Sequence, residues 1–220
     1  MHFFRRYRFF FIVLFVLSAI IITLFYNVLD QPKRLKIYSP SDVNPEMVDS
    51  SISFIRKDHH IEDFSFTNQN GKTITQDDYV GKIYVADFFF TTCQTICPIM
   101  TDNMVWLQEQ IKDNPKVMLL SHSVTPDTDT PEVLKAYALK KGVMDTKWNL
   151  VTGSKKDIYG IARKSYLAVK TGKPEEMYDM VHTENFILVD SKRRIRGFYD
   201  GTKTEDMKKL VGDIKILSED

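Results

Sequence analysis

The sequence predicts an α/β domain preceded by one membrane-spanning helix, and three observations lead to this prediction. An apolar, uncharged run of 18 residues, FFFIVLFVLSAIIITLFY at 9–26, follows three arginines. Beyond it, β-rich runs such as KIYVADFFF alternate with segments whose apolar residues recur at helical spacing. About 190 residues follow the apolar run, which is enough chain for one hydrophobic core.

The apolar run is typical of an uncleaved N-terminal anchor. Its 18 residues are at the lower end of what spans a bilayer and exceed the usual apolar core of a signal peptide. No small-x-small cleavage site follows in NVLDQPKRLK. The three arginines of MHFFRRYR are matched by three basic residues in QPKRLK, so the count of positive charges hardly distinguishes the two orientations.

The charge balance excludes some classes of partner. The chain has 30 Lys and Arg against 29 Asp and Glu, and three of the arginines precede the apolar run, which leaves 27 against 29 in the remainder. A slightly acidic domain is not expected to have nucleic acid or an anionic membrane surface as its main partner. We therefore expect no nucleic-acid binding, and contact with a membrane through the N-terminal helix.

Composition divides the chain into four parts. A short basic N-terminus (1–8) is followed by the transmembrane anchor (9–26). The stretch 27–57 contains proline, serine and charged residues without clear periodicity, and is predicted to be a tether. The remaining residues, 58–220, are predicted to form one domain.

The order of elements in this domain predicts its fold. FSFTNQNGKTI is typical of a hairpin around the turn NQNG. Next come a strand in KIYVADFFF, a helix from Pro98 to about Asp113, and a second buried strand in KVMLLSHSV. DTPEVLKAYALKK begins a helix with Thr130 as N-cap and Pro131 in first position, and another helix fits 155–166. A closing hairpin (ENFILVD, SKRR, IRGFY) and an amphipathic last helix complete the order of a thioredoxin-like fold.

Both cysteines of the chain, Cys93 and Cys97, lie in the predicted turn from a central strand into a helix. The N-terminus of a helix favours thiolate, so we expect both thiol pKa values to be low. Residues four apart on a helix have Cβ atoms about 5–6 Å apart, whereas a disulfide requires about 3.5–4.5 Å. The spacing therefore favours metal capture, and a reversible disulfide stays open. A soft ion such as Cu(I) would need a third ligand, usually imidazole or thioether.

The histidines supply one candidate for that ligand. His182 precedes the strand ENFILVD, in the loop that faces the active-site turn of a thioredoxin-like fold. Redoxins have a cis-proline there, but this chain has no proline after Pro174. His182 is therefore the predicted third ligand. His122 lies inside a strand and is predicted to be packing, and His59 and His60 are predicted to be solvated.

Several segments together resemble the Sco/SenC family of membrane-anchored, thioredoxin-like copper proteins. DFFFTTCQTICPIM is similar to the family signature F-x-F-T-x-C-x-x-x-C-P, and SHSVTPDTDTPEVLKAYALKKG to its S-V-D-P-x-x-D-T-P-E-V-L-K segment. DMVHTENFILVD resembles the V-D-H-S segment that holds the family's third copper ligand. The resemblance covers roughly Ile61 to Ile214.

This resemblance implies a copper site made by Cys93, Cys97 and His182, with Cu(I) as the ion and Cu(II) left open. It also implies that the two cysteines pass between dithiol and disulfide states. The family helps to assemble the copper centre of terminal oxidases, so the implied partner is a copper-receiving oxidase subunit. With the anchor, it implies a domain on the extracytoplasmic side of a bacterial cytoplasmic membrane.

The chain departs from the family pattern at three positions. Thr125 and Met180 each replace a usual aspartate, and Gln94 replaces the proline after the first cysteine. None of these changes removes a ligand. Asp129 keeps the second family aspartate, and is predicted to cap a helix or brace a loop.

Methionine is a second source of soft ligands. Met177 and Met180 precede His182 and could assist copper transfer through their thioethers. Met100 and Met104 recur at helical spacing and are predicted to fill the core.

These observations discriminate between three candidate functions. The first is an anchored copper metallochaperone, which has no turnover of its own. The second is a thiol–disulfide oxidoreductase that reduces the cysteines of a copper-receiving partner. The third, a peroxide-reducing enzyme, requires a P-x-x-x-T-x-x-C pattern that is absent from the sequence before Cys93. The C-x-x-x-C spacing and the missing cis-proline favour the metallochaperone.

Overall fold

A computed structural model describes residues 6–29, 34–168 and 183–219. The chain divides into two compact units, Met1–Arg34 and Leu35–Asp220. In the first unit, helix α1 (Arg8–Leu29) contains the predicted anchor. Its segment Arg8–Tyr26 is long and apolar enough to cross a membrane.

The second unit is built on one seven-stranded sheet in the order β2-β1-β5-β4-β3-β6-β7. The three central strands β3, β4 and β5 are parallel, and the other four pair antiparallel. Their bounds are β1 (Ser65–Asn68), β2 (Thr73–Thr75), β3 (Ile83–Phe89), β4 (Val117–Ser123), β5 (Trp148–Thr152), β6 (Asn185–Val189) and β7 (Ile195–Asp200).

Helices cover both faces of this sheet. They are α2 (Ile96–Ile111), α3 (Pro131–Lys141), α4 (Lys155–Lys164) and α5 (Thr204–Glu219). The apolar residues of α2, α3 and α5 form one core with one side of the sheet. Those of α4, together with residues from the segment before β1, form a second core on the other side. A sheet buried on both faces explains why every residue of β3 is buried.

Local sequence signals account for the ends of several elements. The side chain of Thr130 caps α3 by accepting a hydrogen bond from the backbone N–H of Val133, and Pro131 occupies the first turn. Gly142 ends the same helix with a φ of +75°, which costs a glycine little. The two predicted hairpins are confirmed as β1–β2 and β6–β7.

The structure differs from the sequence-based expectations in two places. Strand β5 pairs with β4 and β1, although WNLVT was not predicted to be a strand. From Leu35 onward the predicted tether is part of the second unit: Tyr38 donates its backbone N–H to Ile195 O at 2.9 Å, and Val48 is 3% exposed. The sequence does not reveal this packing, because the 3-10 helices Pro40–Asp42 and Pro45–Met47 are too short to give the apolar residues of this stretch a recognisable period.

Candidate metal centre

The cysteine pair lies where β3 passes into α2. After β3 ends at Phe89, the backbone N–H of Cys93 donates to Phe90 O at 3.3 Å, which forms a turn. Cys97 lies in the first turn of α2. Both thiols are free; Cys93 is half-buried and Cys97 is 4% exposed. The site therefore offers one thiol to solvent and holds the other inside.

Their surroundings shift the two thiols in opposite directions. Partial burial opposes ionisation of Cys93, but hydrogen bonds from the backbone N–H groups of Thr95 and Cys97 and from the Cys97 thiol stabilise its thiolate. Together they lower the pKa of Cys93 from 9.0 to about 7. Burial is the main cause that raises the pKa of Cys97 to about 12, and the hydrogen bond between its thiol and Cys93 acts in the same direction. The expectation that both pKa values are low is thus met by Cys93 alone, because Cys97 faces the apolar core.

A buried carboxyl group lies in the same strand that leads to the cysteines. Asp87 is 3% exposed and accepts a short hydrogen bond from Ser121 of β4, whose Oγ in turn accepts from Trp148 Nε1 at 2.8 Å. Burial raises the pKa of Asp87 to about 7. Sequence analysis did not identify this residue, although one acidic residue inside the apolar run KIYVADFFF is a signal of it.

A second buried carboxylate braces the cysteine loop. Asp129, in the connection from β4 to α3, is fully buried. Its two oxygens accept from Thr91 N at 3.2 Å and Thr91 Oγ1 at 2.5 Å, and from Ser123 Oγ at 2.5 Å and Thr125 Oγ1 at 3.1 Å. Of the two predicted roles, loop bracing fits these contacts, since Thr130 caps the helix. Thr125, which replaces a family aspartate, is itself one of the donors.

His182, Met177 and Met180, the predicted third ligand and its neighbours, lie outside the described residues. Within 6–29, 34–168 and 183–219 no group of three His, Cys, Asp or Glu is arranged to hold a metal ion. The structure thus brings Cys93 and Cys97 together and does not test His182.

The histidines within the described residues, His59, His60 and His122, lie outside the turn that holds the cysteines. His122 is fully buried on the opposite side of the sheet from Cys97, stacked on Phe88 with a centroid distance of 5.0 Å. His59 is buried as well, and its Nε2 lies 2.7 Å from Ser165 O, whereas His60 is exposed. The packing role predicted for His122 is confirmed, and the solvated state predicted for His59 is wrong.

The methionines of α2 behave as predicted. Met100 is 1% exposed, Met104 is fully buried, and both belong to the core that α2 forms with the sheet. They fill that core at helical spacing.

Comparison with known families and proteins gives two related results. The family model described as SCO1/SenC matches residues 54–218. The SCO1 protein homolog of Bacillus subtilis (strain 168) is 35% identical over 162 residues, which are 73% of this chain and 83% of that protein.

Two solved structures illustrate the likeness in three dimensions. The structure of BsSco has a TM-score of 0.64 at 34% identity and covers 73% of this chain and 94% of that chain. BsSco is a member of the Sco family of cytochrome c oxidase assembly proteins in which a disulfide switch was identified. Bradyrhizobium japonicum ScoI with copper bound has a TM-score of 0.58 at 26% identity, covering 73% and 99%. The chain therefore belongs to the SCO1/SenC family, and its domain has the thioredoxin-like fold of the Sco structures.

Proposed function

We propose that this protein is a membrane-tethered metallochaperone that carries copper on Cys93, Cys97 and His182. The observation that carries the proposal is the pair of free thiols at the turn from β3 into α2, one half-buried and one buried. The copper-bound structure of a relative supports copper as the cargo.

The donor set suits Cu(I). This ion prefers soft ligands, and two thiolates with one imidazole meet that preference. A metal ion can bridge two thiolates that are too far apart to bond to each other, because each metal–sulfur bond adds about 2.3 Å of reach. The donor set is therefore better suited to holding copper than to a permanent cross-link.

The two cysteines have different roles in this proposal. Cys93, with a pKa of about 7, is present partly as thiolate at neutral pH and is the first to meet copper arriving from solvent. Cys97, whose pKa is about 12, loses its proton only as copper binds. His182 completes the site, and Asp129 holds the loop through Thr91, two residues before Cys93.

The apolar segment in α1 supports a membrane location. We place the domain on the extracytoplasmic side of a bacterial cytoplasmic membrane, where it delivers copper to the copper centre of a terminal oxidase. A relative described among the cytochrome c oxidase assembly proteins supports an oxidase subunit as the partner.

Anaerobic Cu(I) titration of the reduced protein against a competing chelator tests this function. We expect one tightly bound copper with two sulfur ligands and one nitrogen ligand by X-ray absorption, lost on Cys93→Ser and weakened on His182→Ala. His122→Ala and His60→Ala are the matched histidine controls and should keep full stoichiometry. Unchanged binding in Cys93→Ser would refute the site.

A thiol–disulfide oxidoreductase acting on a copper-receiving partner is the second candidate. The opposite pKa shifts of Cys93 and Cys97 favour it, since a half-buried low-pKa thiol followed by a buried one is the arrangement of an attacking and a resolving cysteine. In that reaction the partner disulfide takes two electrons and two protons from the dithiol, which becomes the Cys93–Cys97 disulfide. Weak copper binding together with rapid reduction of a disulfide in a partner peptide would favour this second function.

A further inference from the structure

The outward face of α4 carries a cationic stripe. Lys155 and Lys156 begin the helix, Arg163 and Lys164 end it, and all four line one cleft. The three lysines are exposed and Arg163 is half-buried. The helix as a whole has four basic residues and one acidic residue, Asp157.

The stripe borders a cleft of about 340 Å³ that is open to solvent. Tyr159 and Gly160 lie in it between the basic residues, and Asp49 is the one acidic side chain among its described lining residues. The ammonium of Lys155 lies 5.3 Å from the Tyr159 ring centroid and the guanidinium of Arg163 lies 5.8 Å from it. The Tyr159 ring thus contacts one basic residue from each end of the helix.

The positive charges in the first turn of α4 do not stabilise the helix. Lys155 and Lys156 occupy the first turn of α4, where the helix dipole disfavours positive charge. Their presence there suits an anionic ligand that contacts the outer surface of the helix.

The other side of the sheet differs in charge. Helix α5 has three lysines and four acidic residues, with Glu205 and Asp206 in its first turn. The part of the chain after the apolar run is slightly acidic overall, so its composition does not reveal a basic surface. Folding creates one by placing α4 and α5 on opposite faces of the sheet.

We infer that the cationic stripe of α4 docks on anionic phospholipid headgroups of the membrane that holds the N-terminal helix. The inference rests on the proposed anchor. Only eight residues separate Tyr26, the end of the apolar segment, from Leu35, the start of the second unit. Eight residues extend at most about 28 Å, so the anchor keeps the domain near the headgroups and weak electrostatic attraction suffices. Cys93 and Cys97 lie at the strand ends rather than on the α4 face, so this docking leaves them open to a partner.

Lysine reactivity in nanodiscs tests the inference with the full chain. We would measure acylation rates by mass spectrometry in discs of phosphatidylcholine alone and in discs with about one third phosphatidylglycerol, at low salt. Each basic residue near an anionic surface contributes about a fivefold effect on binding, so we expect Lys155, Lys156 and Lys164 to react about fivefold more slowly in the anionic discs. Lys208 and Lys209 of α5 are the internal control and should react equally in both lipids. High salt should remove the difference.

Charge variants separate docking from a general effect of the membrane. Arg163→Gln/Lys164→Gln should abolish the lipid dependence at Lys155 and Lys156, whereas the matched control Lys208→Gln/Lys209→Gln should keep it. Equal rates at Lys155 in the two lipids, or protection of α5 instead, would overturn the inference, even if the stripe then bound an acidic protein. A chain that fails to co-purify with the discs would refute the proposed anchor, which is a distinguishable result.

Discussion

Replacing Asp129 by asparagine would remove one negative charge and one acceptor oxygen from the cysteine loop with almost no change in volume. The carboxylate is fully buried and accepts four hydrogen bonds, two of them from Thr91 and one each from Ser123 and Thr125. These contacts join the loop after β3 to the loop after β4. The substitution therefore tests whether one side chain holds both loops in place.

The expected loss of stability follows from the four hydrogen bonds that Asp129 accepts. A hydrogen bond to a charged group contributes about 1.5–3 kcal/mol, and changing one partner of a buried charged network costs about 3–5 kcal/mol. Asparagine keeps one acceptor oxygen, and hydroxyl groups can turn to accept from its amide. We therefore expect Asp129→Asn to lower the free energy of unfolding by about 3 kcal/mol. Because Thr91 is released, we also expect copper binding to weaken.

Urea unfolding measures the free energy of unfolding, and Cu(I) competition measures copper affinity. Asp127→Asn is the matched control, because Asp127 is exposed in the same loop. Its free energy of unfolding should stay within about 0.5 kcal/mol of the original protein. Thr91→Val should lose about 1–2 kcal/mol through one hydroxyl donor. An Asp129→Asn variant as stable as the control would refute the bracing role.

Three further predictions concern burial and the thiols. Burial lowers the pKa of His122 from 6.5 to about 3, so between these values the unfolded chain binds a proton that the folded chain does not, and stability falls as the pH falls. The free energy of unfolding of His122→Phe, relative to that of the original protein, should therefore be about 2 kcal/mol higher at pH 5 than at pH 7.5 in urea titrations. A difference that does not change with pH would contradict this. Iodoacetamide at pH 7.5 should alkylate Cys93 at least about tenfold faster than Cys97, with a midpoint near pH 7 for Cys93, and equal rates would contradict the difference in pKa between the two thiols. Gly153→Ala places a Cβ atom 2.7 Å from a buried phenylalanine ring, so it should cost about 1–3 kcal/mol, while Gly160→Ala in open space should not destabilise the protein.

The placement of the thiol pair could be predicted because it is local in sequence. Cys93 and Cys97 are four residues apart at a strand-to-helix turn, and both the turn and the helix have strong local signals. The same reasoning did not predict opposite pKa shifts, since it treated the helix N-terminus as acting equally on both thiols. The direction in which each sulfur faces depends on packing against the core, which spacing alone does not report.

The sequence by itself determined the class of the protein: an apolar segment, an α/β order of elements, a thiol pair and a family resemblance. These are periodic or contiguous features, and the backbone preferences behind them act over a few residues. Only the tertiary structure decided that Asp129 joins two loops, that His122 is enclosed by aromatic rings, and that the basic residues of α4 line one cleft. These features depend on contacts between residues far apart in the chain or on which side of a helix faces solvent, and the folded sheet alone brings them about.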